Sequence, residues 1–573
     1  MRANAEYQTN PRIRLEKPIS LLNPKKYPIS SMKKYEFRDI KPSDVRQQYD
    51  LVYDPTNPDT PHTPKFSGDF ECGNCGPVYQ IGPNSYEVQL VPDPNDQQTT
   101  QWFFFRVENM APGDYFFIIT GFYRECNLHY LGSKACVYST NDASNGIGWQ
   151  RLGENLNYTK WKSGKFPEWA FSFNITVRET DTMYFAHLYP YTYTNLMEHL
   201  NRLPTGYTYS VLCQTIGYID VPAIFWDADL QKCVDVQSIL KNKGKIIHNP
   251  PPIRIEEISE FPEVVVDLLR SWKNDYSLQN GIKYDQKPVM VIVSRTHPGE
   301  TNSSFAVEGF VDMLFGSSPI AKKLRDSFSW FIIPMINPDG VICGFYRPNL
   351  SGFDMNRVWQ SPSPVLNPVA YSALDVLDIL HRTRGIGFFL DFHGHTASCN
   401  SFVYGFMNED NPILYSSERV FPLLMTKHCP IFSNELCSFL KQKQYEGTMR
   451  VVVRRRFQTL FAYTLEMSYG GCDFGPRKNT QITPDDFSDV GKAVVKSIYE
   501  LFFLPSSLAS KEAMMLIPHP GEPIPIISLP PSTLMINGSS KVSAPSFFRF
   551  VADDVSDKAP YSVKLTLNQF IKE

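Results

Sequence analysis

Two textures of hydrophobic patterning divide this chain. Between Phe66 and about Gly217, short runs mix aromatic and β-branched residues: "YEVQLVP", "QWFFFRVEN", "DYFFIITGF", "KACVYST", "FSFNITVRE" and "TMYFAHLYP". Gly, Asn, Asp and Pro separate them, so the spacing predicts short strands folded as a β-sandwich. From about Pro288 the runs become continuously apolar, as in "PVMVIVS", "FSWFIIPMI", "GIGFFLDF" and "FAYTLEMS". Between some of them lie helical patterns, "SFAVEGFVDMLF" and "NPVAYSALDVLDILHRTR". Apolar strands alternating with helices predict an α/β domain with a mostly parallel or mixed sheet. The start of the chain is polar and dotted with proline, "HNPPPIRIEE" marks a loop at the junction, and Pro and Ser dominate after Pro505. The expected organisation is an extension at 1–60, a β-sandwich at 61–220, an α/β domain at 221–505 and a tail at 506–573.

Composition narrows the classes of function. The 573 residues, 42% apolar and 14% aromatic, are enough for two or three cored domains. Lys plus Arg number 56 against 59 for Asp plus Glu, a net charge of −3. No global field draws the chain to nucleic acid or membrane, and neither partner is expected. The N-terminus lacks an apolar core of signal type, and no run of about 18 apolar residues occurs. Eleven cysteines without framework spacing fit reduced thiols in the cytosol. Cys72 and Cys75 form a lone CxxC, read as two small residues in a turn.

The quadruplet HPGE occurs twice, in "SRTHPGETNSS" and in "LIPHPGEPIP". A histidine and a glutamate at this spacing can share a zinc ion. His297 directly follows an apolar strand and precedes a helix, where open α/β sheets bind ligands. His519 and Glu522 lie among prolines with no strand behind them, and read as tail composition. Catalytic zinc takes three protein ligands and keeps a position for water. His297 and Glu300 supply two, and "FFLDFHGHTAS" offers His393 and His395 for the third, with Asp391 able to orient an imidazole. Arg347 and the pair Asn356–Arg357 suit carboxylate recognition, because guanidinium forks form bidentate, charge-assisted bonds. Glu466 lies late in an apolar strand, where an acid is costly unless paired or catalytic.

Taken in order, "RTHPGETNSS", "NPDGV", "YRPNLSGFDMNR", "DFHGH" and "YTLE" resemble the zinc metallocarboxypeptidases, and specifically their cytosolic carboxypeptidase branch. Upstream, "FECGN", "TQWFFFRVEN", "YST" and "YFAHLYPYTYTNL" resemble the β-sandwich domain of that branch. The resemblance spans roughly residues 60 to 505. It implies one zinc ion on His297, Glu300 and His393, with His395 the weaker ligand candidate. It implies that Arg347, Asn356 and Arg357 hold the substrate's terminal carboxylate, that Arg347 also polarises the scissile carbonyl, and that Glu466 is the general base. It further implies removal of C-terminal residues, chiefly glutamates, from acidic protein tails such as those of tubulin. A cytoplasmic setting near microtubules, cilia or flagella follows from the same resemblance.

The sequence departs from glutamate-removing relatives just after "HGH", where "HTASCN" is neutral. Basic character appears instead in "EGTMRVVVRRRFQTLF". If that stretch is extended, Arg454 and Arg456 share one face and Arg455 takes the other. Arg455 is the expected partner of a glutamate side chain, and Tyr445 offers a hydroxyl nearby. Two other functions stay open: a zinc amidohydrolase acting on N-acyl amino acids, and a binding module without turnover.

Overall fold

The computed structural model describes residues 49–504 apart from 58–60, 95–98, 125–126, 162–167, 242–285, 407–411 and 440–444. The tail with His519 and Glu522, the loop "HNPPPIRIEE" and most of the N-terminal extension lie outside the described residues.

The first domain contains β1 (Asp50–Tyr53), β2 (Lys65–Ser67), β3 (Val78–Gly82), β4 (Ser85–Gln89) and β5 (Phe104–Met110). It continues with β6 (Gly113–Phe122), β7 (Ala135–Ser139), β8 (Gln150–Leu152), β9 (Glu154–Trp161), β10 (Glu168–Val177) and β11 (Asp181–Ala186). They form two sheets, ordered β1-β3-β4-β6-β10-β9 and β2-β5-β11-β7-β8. Alternation along the strands turns every second side chain inward. Phe105 and Phe185 from one sheet meet Phe117 and Phe173 from the other, with Phe117 and Phe185 centroids 4.9 Å apart. The aromatic runs of the sequence are therefore the filling of a sandwich.

The second domain is built on one mixed sheet. In chain order it holds β12 (Ser210–Gln214), β13 (Asp220–Asp227), β14 (Lys232–Cys233), β15 (Val289–Ser294), β16 (Ser329–Ile333), β17 (Ile386–His395), β18 (Ser401–Tyr404) and β19 (Phe461–Ser468). Its order is β12-β13-β16-β15-β17-β19-β18, with β14 beside β13. The expected division after residue 220 falls just inside β13, and β12 before it already belongs to this sheet. β16, β15, β17 and β19 run parallel, so their carboxyl ends share one edge. Along β15, Val289, Val291 and Val293 face one core while Met290 and Ile292 face another. Both faces are covered, which is why these strands read as unbroken apolar runs. One cover contains α1 (Thr301–Leu314) and the C-terminal α4 (Pro484–Phe503), and the other contains α2 (Pro368–Arg384) and α3 (Met449–Phe457). Among the described residues, no helix is long and apolar enough to cross a membrane. Cys72 and Cys75 are buried free thiols in the first domain.

Candidate active site

The parallel edge gathers the chemistry. β15 ends at Ser294, and the chain turns through Arg295, whose φ of 55° is left-handed. Arg295 is fully buried, and its guanidinium donates to Pro298 O (2.7 Å) and Ser304 Oγ (2.8 Å). That clamp ties the His297–Glu300 turn to the first turns of α1. Two glycines let the turn and its neighbour pack closely. A Cβ on Gly299 would stand 2.4 Å from the Tyr346 ring, and one on Gly394 would stand 2.2 Å from the Tyr469 ring.

Three donors converge. The Glu300 carboxylate faces His297 Nδ1 at 2.7 Å and His393 Nδ1 at 2.9 Å, and accepts the Gly394 N–H at 2.9 Å. The far nitrogens are held too, with His297 Nε2 2.9 Å from Asp354 and His393 Nε2 2.7 Å from Asp391. This arrangement fits a metal: one lone pair of each imidazole is turned inward while a carboxylate orients the ring from behind. Ligand atoms of His297, Glu300 and His393 all lie within 4.8 Å of one another. His395, by contrast, turns its Nδ1 to the N–H groups of Ala397 and Ser398, at 3.3 and 2.9 Å. Asp354 is the partner that sequence reasoning missed, and its one signal was its place two residues before Asn356.

Glu466 is set beside this centre by strand pairing, because β17 and β19 align His393 with Glu466. Its Oε2 is buried without a hydrogen-bond partner among the described residues. Burial first, then the charges of Glu300 and Asp391, push its carboxyl up to about 8, with His393 and Arg347 opposing. An unpartnered carboxylate that holds a proton readily is suited to proton transfer.

On the next loop, Asp354 takes both the Nε and Nη2 of Arg347 at 2.8 Å. The sandwich domain also fixes this loop, since Asp93 accepts the N–H groups of Tyr346 (2.8 Å) and Arg347 (3.2 Å). Asn356 accepts the Met449 N–H at 3.1 Å, and Arg357 stands over the Tyr445 ring at 5.5 Å.

Comparison with known proteins gives this geometry a context. Residues 266–486 match the family model described as zinc carboxypeptidase, and residues 66–187 match that of the cytosolic carboxypeptidase N-terminal domain. The chain belongs to the zinc carboxypeptidase family. Cytosolic carboxypeptidase 3 of Bos taurus is 32% identical over 74% of this chain and 39% of its own length. Cytosolic carboxypeptidase 2 of Homo sapiens is 31% identical over 76% of this chain and 44% of its own. The chain thus spans about two fifths of the length of these curated relatives. A metallo-carboxypeptidase from Pseudomonas aeruginosa, solved with (2-guanidinoethylmercapto)succinic acid, shares the fold, with a TM-score of 0.54 and 18% identity. That similarity covers 76% of this chain and 98% of the bacterial one.

The carboxypeptidase domain overturns one expectation. The condition on which Arg455 is singled out, an extended stretch, does not hold: Met449–Phe457 is the helix α3, and its arginines sort by a period of 3.6. Arg455 is turned to the surface, 3.3 Å from Glu446, and Arg456 pairs with Asp378. Arg450 and Arg454, one helical turn apart, are buried. Arg450 donates to Gly405 O, its Nε has no partner among the described residues, and Tyr404, Tyr445 and Glu466 are its charged or titratable neighbours.

Proposed function

We propose that this chain is a zinc-dependent carboxypeptidase that removes C-terminal glutamates from acidic protein tails, such as those of polyglutamylated tubulin. The observation that supports the glutamate preference is a buried guanidinium, Arg450, which shares Tyr445 and Glu466 with Arg357 as the groups acting on it. A carboxylate entering a partly desolvated pocket needs such a partner, since an unpaired one costs several kcal/mol. Asn356 and Arg357, with Tyr445 under the guanidinium, receive the terminal carboxylate, while Arg450 receives the side-chain carboxylate. The cytosolic setting is supported by the names of the relatives, and association with microtubules, cilia or flagella follows from the choice of substrate.

His297, Glu300 and His393 hold the metal in this reading. A zinc ion there supplies a Lewis acid for the scissile carbonyl, acidifies a water molecule and, as a nearby cation, eases ionisation of Glu466. Glu466 takes the proton from the attacking water and returns it to the departing amine. Arg347, with Nε and Nη2 held by Asp354, has Nη1 left to stabilise charge developing on the carbonyl oxygen, a contribution of ~3–4 kcal/mol for a well-placed donor.

The test is hydrolysis by the zinc-loaded protein of peptides ending in poly-Glu, Glu-Tyr or an aliphatic residue, read by mass spectrometry. Glutamate release is expected, with Arg450→Ala lowering it by about 10-fold or more and Arg455→Ala leaving it unchanged. Preference for the aliphatic end would overturn the glutamate assignment. Failure to cut any peptide while binding poly-Glu would favour a binding module, and cleavage of N-acyl amino acids alone would favour the amidohydrolase.

A further inference from the structure

Away from the catalytic set, a second group of ligating side chains lies where the two domains are joined. The helix Tyr193–Leu200 follows the sandwich and precedes β12, the first strand of the second sheet. The sandwich holds its N-terminal end, because the Thr194 N–H donates to Glu71 Oε1 at 3.0 Å. Its C-terminal end rests on α1, with His199 Nε2 2.6 Å from Asp312 Oδ1. α1 begins directly after Glu300 and is pressed against α4, where a Cβ on Gly309 would strike Ser488 O. Its donors are thus presented from a fixed helix.

Glu308 and Asp312 are four residues apart on α1, so both carboxylates project from one face. One ligand atom each of His199, Glu308 and Asp312 lies within 4.8 Å of the others. His199 and Glu308 are buried, while the Asp312 side chain is 57% exposed. The imidazole sets this group apart from a solvated acidic face, and two carboxylates so close repel unless positive charge lies between them. His199 also belongs to the last turn of its helix, where the helix dipole favours a cation. Around an ion with bonds of about 2.1 Å, neighbouring ligands stand about 3 Å apart and opposite ones about 4.2 Å. Opening the His199–Asp312 contact by ~0.4 Å reaches that spacing, and the exposed Asp312 side chain is free to give it. In the catalytic set the corresponding donor contacts are as short, at 2.7 and 2.9 Å.

We propose that His199, Glu308 and Asp312 bind a second divalent cation, which braces the helix joining the domains against α1. One imidazole nitrogen and two carboxylate oxygens, completed by water on the open Asp312 side, suit a first-row ion such as Mn2+. With one imidazole in place of two and one carboxylate in solvent, this site holds its ion less tightly than the catalytic set. The ion therefore exchanges with the medium while the zinc stays. Its work is structural: it ties the segment between the two cores to the helix that starts at the Glu300 turn.

The experiment titrates Mn2+ into the zinc-loaded full chain, reading the free ion by its electron paramagnetic resonance signal and Tm alongside. Wild type is expected to take up one equivalent and to gain Tm as the ion saturates, because an ion bound only by the folded state stabilises it. His199→Gln and Asp312→Asn should each weaken uptake by about 10-fold or more and remove the Tm gain, since even an outer partner of a ligand is worth that much. Asp312 lies at the surface, so its variant keeps the fold even where His199→Gln does not. Glu300→Gln, which loses the catalytic set, should still take up Mn2+ as wild type does. No uptake by wild type, uptake unchanged in Asp312→Asn, or uptake lost in Glu300→Gln overturns the proposal. His199 and Asp312 would then be a hydrogen bond between two helices and nothing more.

Discussion

Each domain buries a pair of histidines, and the two pairs look alike until their partners are counted. His129 and His187 in the sandwich have ring centroids 5.0 Å apart at 70°, and His297 and His393 in the carboxypeptidase domain have theirs 4.9 Å apart at 62°. All four rings are buried. In the sandwich, His129 donates Nδ1–H to Ser133 O at 2.7 Å and accepts from His187 Nδ1 at 3.1 Å, while Phe171 stacks on its ring at 3.8 Å. Among the described residues neither ring has a carboxylate partner. Burial therefore wins, lowering the pKa of His129 to about 3 and that of His187 well below its usual value. In the second pair burial acts the same way on His393, yet Asp391 and Glu300 outweigh it and raise its pKa well above the usual value. Residue type, burial and spacing are shared. The carboxylates decide which pair is core filling and which can attract a cation.

The sharpest way to break this comparison is to remove the carboxylate between the rings. Glu300→Gln should abolish stoichiometric zinc and turnover, a larger loss than the ~10–100-fold expected for an outer partner. His187→Gln should leave zinc content unchanged by elemental analysis. Equal zinc loss in both variants would erase the distinction between the pairs. Next in size is Glu466→Gln, which should keep zinc and substrate affinity while kcat falls by about 10²–10⁴-fold, because a general base acts in the transition state. Near-normal kcat in that variant would remove Glu466 from the chemistry. Asp391→Asn should weaken zinc binding by about 10–100-fold in chelator competition while the fold stays intact, since it orients His393 without belonging to the convergent set.

The smallest effect concerns the pair without carboxylates. The unfolded chain protonates its histidines below about 6.5, whereas His129 stays neutral in the fold until about 3. Stability carried by this pair is thus complete above 6.5 and is lost as pH falls toward 3. The slope is about 1.4 kcal/mol per pH unit for each histidine. Arg151, the other charge acting on both rings, only deepens the effect. Denaturant midpoints measured from pH 7 to 4 should fall for wild type and fall less for His129→Gln. Parallel curves would show that the sandwich pair is not what acid attacks.

The convergence of His297, Glu300 and His393 was legible in the sequence because much of its geometry is local. A short turn after an apolar strand can present His297 and Glu300 together whatever lies elsewhere, and "DFHGH" announces a second strand end. The arginine stretch was misread for a physical reason. Val451, Val452 and Val453 carry strand propensity, and only the packing of Met449, Val452, Val453 and Phe457 into the core under the sheet shows the inner face of a helix. That change of period, from 2 to 3.6, turns Arg455 to the surface beside Glu446 and buries Arg450.

By itself the sequence determined the two textures, and with them a sandwich followed by a mixed α/β sheet, because periodic burial is written residue by residue. It also determined which side chains could ligate a metal, since ligand chemistry belongs to the residue. Tertiary structure alone decided which carboxylate backs which imidazole, that Asp354 serves both His297 and Arg347, and that Asp93 reaches the Tyr346–Arg347 backbone from another domain. Those contacts join residues far apart in the chain, as Asp93 and Arg347 show at 254 positions. Nothing in a local pattern encodes such a distance, because it is set by how two separately built cores pack against one another.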